Sequence, residues 1–215
     1  MQRKAFWKCG TIAGVCLATI LNFTWVAAQT GTASSAPIPK ALKPYISCDF
    51  PDMLRVVSVE PTSAGPLLVA TAAGTESIDT VAGEQVMFAY PLTDFFASAK
   101  VELLPAEQYA QDKKVLLDNM ALMESQRDGP VRAEALPAGL HGFGVHGNDR
   151  AKLEGAELGM YLLFDDPAHV VTTVLFLNQH SWQRKFQTMD EYGQLRDRYL
   201  RTYTGCIRQN QAIER

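Results

Sequence analysis

Residues 159–178 constrain the fold more than any other part of the chain. They hold two apolar runs, Met160-Tyr161-Leu162-Leu163-Phe164 and Val170-Val171-Thr172-Thr173-Val174-Leu175-Phe176-Leu177, separated by Asp165-Asp166-Pro167-Ala168. Runs rich in β-branched and aromatic residues on either side of an Asp/Pro turn spell a β-hairpin. The second run has no polar face. Val170, Val174 and Phe176 fall on one side, and Val171, Leu175 and Leu177 on the other. A strand that is apolar on both sides must be covered on both sides. The hairpin is therefore expected in the middle of a sheet, with other layers against each face.

The amino terminus has the pattern of an export signal. Arg3, Lys4 and Lys8 precede an apolar stretch over residues 9–28, and Val26-Ala27-Ala28 is a small-residue cleavage site that would leave Gln29 first. The stretch approaches the roughly 20 residues that cross a bilayer. An uncleaved inner-membrane anchor is the alternative, weakened by Asn22 and Thr24. Loss of residues 1–28 removes three basic side chains and no acidic one, so 17 Lys and Arg face all 23 Asp and Glu and the net charge falls to −6. An acidic chain with no basic run repels phosphate backbones and anionic lipid. Nucleic acid is excluded as a partner, and membrane contact is expected only with an uncleaved leader. Cys9 and Cys16 leave with the signal, and Cys48 and Cys206 remain. An even pair in an oxidising compartment favours a disulfide, with two separate buried thiols as the alternative. A periplasmic or secreted protein is expected.

Residues 29–43, rich in Ala, Ser, Thr and Pro, read as a flexible linker, 44–207 as one domain and 208–215 as a frayed tail. Within the domain, Ile46, Cys48 and Phe50 alternate as a first strand, and strands are expected at 54–59, 67–71, 75–81 and 86–90. The clearest alternation spans 95–104, with Phe95, Ala97, Ala99, Val101 and Leu103 towards the core and Ser98, Lys100 and Glu102 towards solvent. Pro105 opens a helix whose stripe is Tyr109, Leu116, Met120 and Met123, widened by Val115 and Leu122 and ended before Gly129-Pro130. Residues 131–135 and 140–146 form a further hairpin. Thr188-Met189-Asp190-Glu191 is a capping box for a last helix with Tyr192, Leu195, Tyr199, Tyr203 and Cys206 on one face and Gly205 as terminator. The sum is an α+β domain: a mainly antiparallel sheet of about six to eight strands with two long helices.

This order has several strands, then one running into a long helix, then two hairpins and a terminal helix. Over residues 45–207, and chiefly in segments 97–123 and 160–206, it resembles the PsbP-like superfamily. That superfamily includes an accessory protein of a photosynthetic complex, a binding partner of a nuclear small GTPase and periplasmic proteins of obscure role. The resemblance implies a three-layer α/β/α sandwich and a non-catalytic module. It does not imply a partner.

Motifs of chemistry are few. Gly142-Phe143-Gly144-Val145-His146-Gly147 spells G-x-G-x-x-G, but it falls in a strand and no helix with an apolar stripe follows to hold a pyrophosphate. Bare backbone for close packing explains Gly142 and Gly144 better. His141 and His146 point to opposite faces of a regular strand. His146, Asp149, Asp165, Asp166 and His169 are the weak candidates for a metal site at one sheet edge, against ordinary turn residues. Ser181 follows His180 with no third group, and no G-x-S-x-G elbow occurs. No catalytic residue and no cofactor is expected. Trp182, Arg184, Lys185 and Phe186 form the candidate contact surface, an aromatic beside cations in a polar loop. The alternative is that Trp182 packs on the first helix. The function expected is an exported, non-catalytic binding or accessory module of the cell envelope, engaging a protein or another envelope component. A periplasmic small-molecule or metal-binding protein is the alternative, and a hydrolase with an unrecognised site is a third.

Overall fold

The second run of the central hairpin is strand β9 (Val170–Leu177), the fourth of seven strands in one antiparallel sheet. The computed structural model describes residues 38–49, 55–90, 95–126, 132–136, 140–146 and 157–213; for 95, 123–126, 132–136, 140–146 and 157 it describes the backbone alone. In chain order the other strands are β1 (Arg55–Thr62), β2 (Gly65–Thr71), β3 (Gly74–Thr80), β4 (Gly83–Ala89), β5 (Phe95–Leu103), β6 (Arg132–Leu136), β7 (Leu140–His146) and β8 (Glu157–Asp165). The helices are α1 (Lys43–Ile46), α2 (Ala106–Gln126) and α3 (Met189–Ile213). The main sheet runs β1-β4-β5-β9-β8-β7-β6, and β2 and β3 pair separately. Helix α2 carries the chain from β5 to the far edge, and a meander from β6 returns β9 to the side of β5. The architecture is α+β with every strand pair antiparallel.

The two-residue period of the hairpin divides it between two apolar clusters. Tyr161, Leu163, Val170, Val174 and Phe176 pack with Tyr192, Tyr199, Leu200, Tyr203 and Ile207 of α3. Leu162, Phe164 and Val171 pack with Tyr109 and Met120 of α2. Leu175 and Leu177, at the far end of the second side, are half-buried. The α3 cluster is largely aromatic: Phe176 meets Tyr199 edge to face at 5.7 Å, and Phe88 meets both Tyr199 and Tyr203 in the same way. The expected stripes on both helices hold, with Met123 among the residues described by backbone alone.

Several expectations are corrected. Residues 45–49 do not open a strand, and Phe50 lies outside the described residues. Lys43–Ile46 is one helical turn with Pro44 in it, and Ser47 to Asp49 are irregular. The expected linker is also packed at its end, since Leu42 is buried. Strands β1 and β2 run past their expected ends, to Thr62 and from Gly65, which leaves residues 63–64 as the loop between them. The main sheet has seven strands, within the expected six to eight, and among the described residues β2 and β3 form a second sheet of their own. Their inner residues Val69 and Ile78 pack on Val115 of α2, and Asn119 donates to the Ala70 carbonyl at 2.6 Å. Ser98 and Glu102, expected towards solvent, are 5% and 8% exposed. β5 is flanked on both sides, and its buried polar residues find partners: Ser98 accepts from Gln85 of β4 at 2.6 Å, and Glu102 forms an ion pair with Lys100 at 3.0 Å.

The last helix starts as its capping box requires, with the Thr188 hydroxyl accepting from the Glu191 amide at 3.2 Å. The Glu191 carboxylate reaches one residue further back than the motif prescribes, to the Gln187 amide at 2.5 Å. Gly205 does not end the helix. It lies inside α3, and residues 208–213, expected as a frayed tail, are helical. A Cβ at Gly205 would meet nothing within 4 Å. Gly205→Ala should therefore raise stability by about 0.5–1 kcal/mol, because glycine inside a helix costs roughly that much relative to alanine. Gly83→Ala should lower it, because the new Cβ would collide with the Val101 carbonyl oxygen. Urea midpoints of the two variants check both signs.

Candidate functional site

Two polar centres of the described structure bear on function, one at the tip of the β8–β9 hairpin and one in the turn before α3. At the tip, Asp166–Ala168 form a single 3₁₀ turn and His169 takes a left-handed conformation, φ 53°. The His169 carbonyl accepts from the Leu104 amide at 3.0 Å, which ties the tip to the end of β5. Asp165 and Asp166, adjacent in sequence, are then drawn to different helices.

Asp165 is 1% exposed. Its Oδ2 accepts from the Tyr45 hydroxyl at 2.5 Å, Arg208 Nη1 at 2.9 Å and Gln211 Nε2 at 2.8 Å. Asp166 Oδ1 accepts from the Tyr109 hydroxyl at 2.7 Å and Lys113 Nζ at 2.6 Å, while Lys113 also sits over the Phe164 ring. Burial, and then the neighbouring carboxylate, pushes both the Tyr45 and Tyr109 phenols well above their ordinary range. Both therefore stay protonated and donate at any physiological pH. Tyr45 belongs to α1, which is fastened to α3 three further ways. The Tyr203 hydroxyl donates to the Tyr45 carbonyl at 2.9 Å, Asn210 donates to the Pro44 carbonyl at 3.2 Å, and a disulfide joins Cys48 to Cys206 with Cα atoms 5.8 Å apart. The expected bridge thus forms, but it clamps α3 to the segment after α1 rather than to a strand.

These partners decide what Asp165 and His169 can do as metal candidates. Asp165 is engaged by side chains of α1 and α3, and His169 lies against the Tyr109 ring at 5.4 Å. Asp149 falls outside the described residues and His146 is described by backbone alone. Among the described residues no three His, Cys, Asp or Glu side chains are placed to share a metal ion.

The turn before α3 has the opposite character. Gln179, 2% exposed, holds it from below: its carbonyl accepts from Arg184 Nε at 3.3 Å and its side-chain oxygen from the Lys185 amide at 3.4 Å. The His180 carbonyl accepts from the Gln183 and Arg184 amides, both at 2.9 Å. Phe186 anchors the other end among Phe96 and Tyr192. It is buried, so it supports the surface and is not part of it. Trp182 stands at the tip, 78% exposed, stacked on His180 with ring centres 6.4 Å apart. It does not pack on α2. Arg184 lies over the Phe186 ring at 5.8 Å, and Lys185 is exposed.

Fold and site together define an α+β protein closed by a disulfide, with one pinned aromatic and cationic turn open to solvent. No described helix is long and apolar enough to cross a membrane. Comparison of the chain with protein-family models, curated proteins and solved structures finds no match.

Sequence reasoning placed Asp165 and Asp166 in a turn but missed Tyr45, Arg208 and Gln211 around the first, and Tyr109 and Lys113 as a pair around the second. One signal was present: Arg208 and Gln211 are three apart, the spacing of one helix face, beyond the glycine assumed to end that helix. Arg208→Ala should cost about 3 kcal/mol, because it leaves a buried carboxylate without its cation. A loss below about 1 kcal/mol in urea unfolding would mean that water reaches Asp165 once Arg208 is gone.

Proposed function

We propose that the protein is an exported, non-catalytic binding module of the cell envelope that docks a protein partner through the turn bearing Trp182. One observation carries this reading: the largest apolar side chain type in the repertoire is held out to solvent on a turn fixed at both ends. Trp and Arg are the residues on which interface energy concentrates. A wandering loop would lose ordering entropy on binding, and this one has already lost it.

Two further observations support the wider reading. The Cys48–Cys206 bond fits an oxidising compartment, where the export pattern of residues 1–28 would deliver the chain. The separate clusters made by α3 and α2 with opposite sides of the hairpin favour a three-layer α/β/α order, as in PsbP-like proteins. A photo-cross-linking residue at position 182 should give a discrete adduct in an envelope extract, while the same reagent at exposed Leu68 gives none. Equal labelling at both positions, or none at 182, would rule the reading out.

A further inference from the structure

Arg184 is the informative residue of that turn. Its Nε is committed to the Gln179 carbonyl at 3.3 Å, and its guanidinium plane is supported by the Phe186 ring at 5.8 Å. Phe186 is itself buried and cannot swing away. The side chain is thus fixed, yet among the described residues neither terminal nitrogen carries a hydrogen bond or an ion pair. An arginine oriented from behind with both terminal nitrogens open is a planar fork, and the group that matches two parallel N–H donors is a carboxylate. Trp182 stands two residues away with its ring exposed, and Lys185 adds a second cation beside the fork. No Asp or Glu occurs from Pro167 to Met189, in a chain whose acidic residues outnumber its basic ones, 23 to 20. Asp190 and Glu191 follow at the start of α3, where the Glu191 carboxylate is committed to the Gln187 amide, so the turn itself carries two cations and no acid.

We propose that Arg184 and Trp182 form a socket for a carboxylate side chain flanked by an apolar one, so that the partner presents an acidic, apolar segment of protein. This rests on the binding reading above and adds to it the chemistry of the partner. Charge complementarity selects an acidic partner, and the exposed indole selects an apolar neighbour to the acid. A lipid surface fits less well. One indole and two cations bury too little to hold a protein at a bilayer, and the chain's net charge of −3 opposes an anionic one.

The test uses the full chain and three probes: a fluorescein-labelled peptide alternating Asp and Glu with Phe and Leu, its Asn/Gln counterpart, and phosphatidylglycerol vesicles. In fluorescence polarisation the acidic peptide should bind saturably, and the amide counterpart about tenfold or more weakly. Trp182→Ala and Arg184→Lys should each weaken the acidic peptide by about tenfold, and Lys185→Ala by less, with unfolding midpoints unchanged. The lysine variant is decisive because it keeps the charge and removes the fork. Full affinity in Arg184→Lys, equal binding of both peptides, or binding of vesicles alone would each overturn the socket. If position 182 still cross-links a partner while Arg184→Lys is neutral, the binding reading stands and only the carboxylate assignment falls. If position 182 cross-links nothing, the binding reading is what has failed.

Discussion

The buried carboxylate of Asp165 is the interaction on which the arrangement of the other elements depends. It belongs to the last residue of β8, the strand beside the sheet's centre, and it cannot be left there unpaired. An isolated charge out of water costs several kcal/mol. Its three donors come from two elements, Tyr45 from α1 and Arg208 and Gln211 from the last turns of α3. Satisfying the charge therefore requires α1 and the end of α3 to meet over the tip of the central hairpin. The disulfide, the Tyr203 hydroxyl and the Asn210 amide then hold them where the charge has brought them. Asp166 repeats the logic on α2 through Tyr109 and Lys113. Two adjacent acids so give the hairpin a fixed seat between two helices.

The centre of this fold was legible in the chain because it rests on period. Val170 to Leu177 are apolar at both parities, and only an inner strand covered on two sides accepts that. The stripes of α2 and α3 were legible for the same reason. Failures came where period is too short or where pairing is distant. Ile46, Cys48 and Phe50 alternate, but three residues do not distinguish a strand from one helical turn, and Pro44 favoured the turn. Gly205 resembled a terminator, yet the cost of a helical glycine, about 1 kcal/mol, is outweighed by what lies beyond it. Arg208, Asn210 and Gln211 all find partners only if the helix continues. The separate pairing of β2 with β3, and its seat on α2, left no mark in local composition.

The candidate contact surface was legible in part. An aromatic among cations in a polar loop was visible, and Trp182, Arg184 and Lys185 are together in one turn. What the letters could not show is the division of labour between two neighbouring aromatics. Phe186 goes inward and makes the turn rigid; Trp182 stays outward and makes it sticky. Both outcomes satisfy the same composition. Gln179, a buried polar residue, braces the turn between them, its side-chain oxygen accepting from the Lys185 amide and its carbonyl from the Arg184 side chain.

Cys48 and Cys206 lie 158 positions apart, so their bond turns nearly the whole domain into a covalent ring. Every strand of both sheets, both apolar clusters' sheet residues and the Trp182 turn are on that ring, while residues 1–47 precede it in sequence. A protease that clips any one loop between the two cysteines makes a nicked molecule, not two fragments. Trimming ahead of Cys48 removes material for good. The Trp182 turn is thus retained through single cuts, whereas a cut ahead of Cys48 releases everything before it.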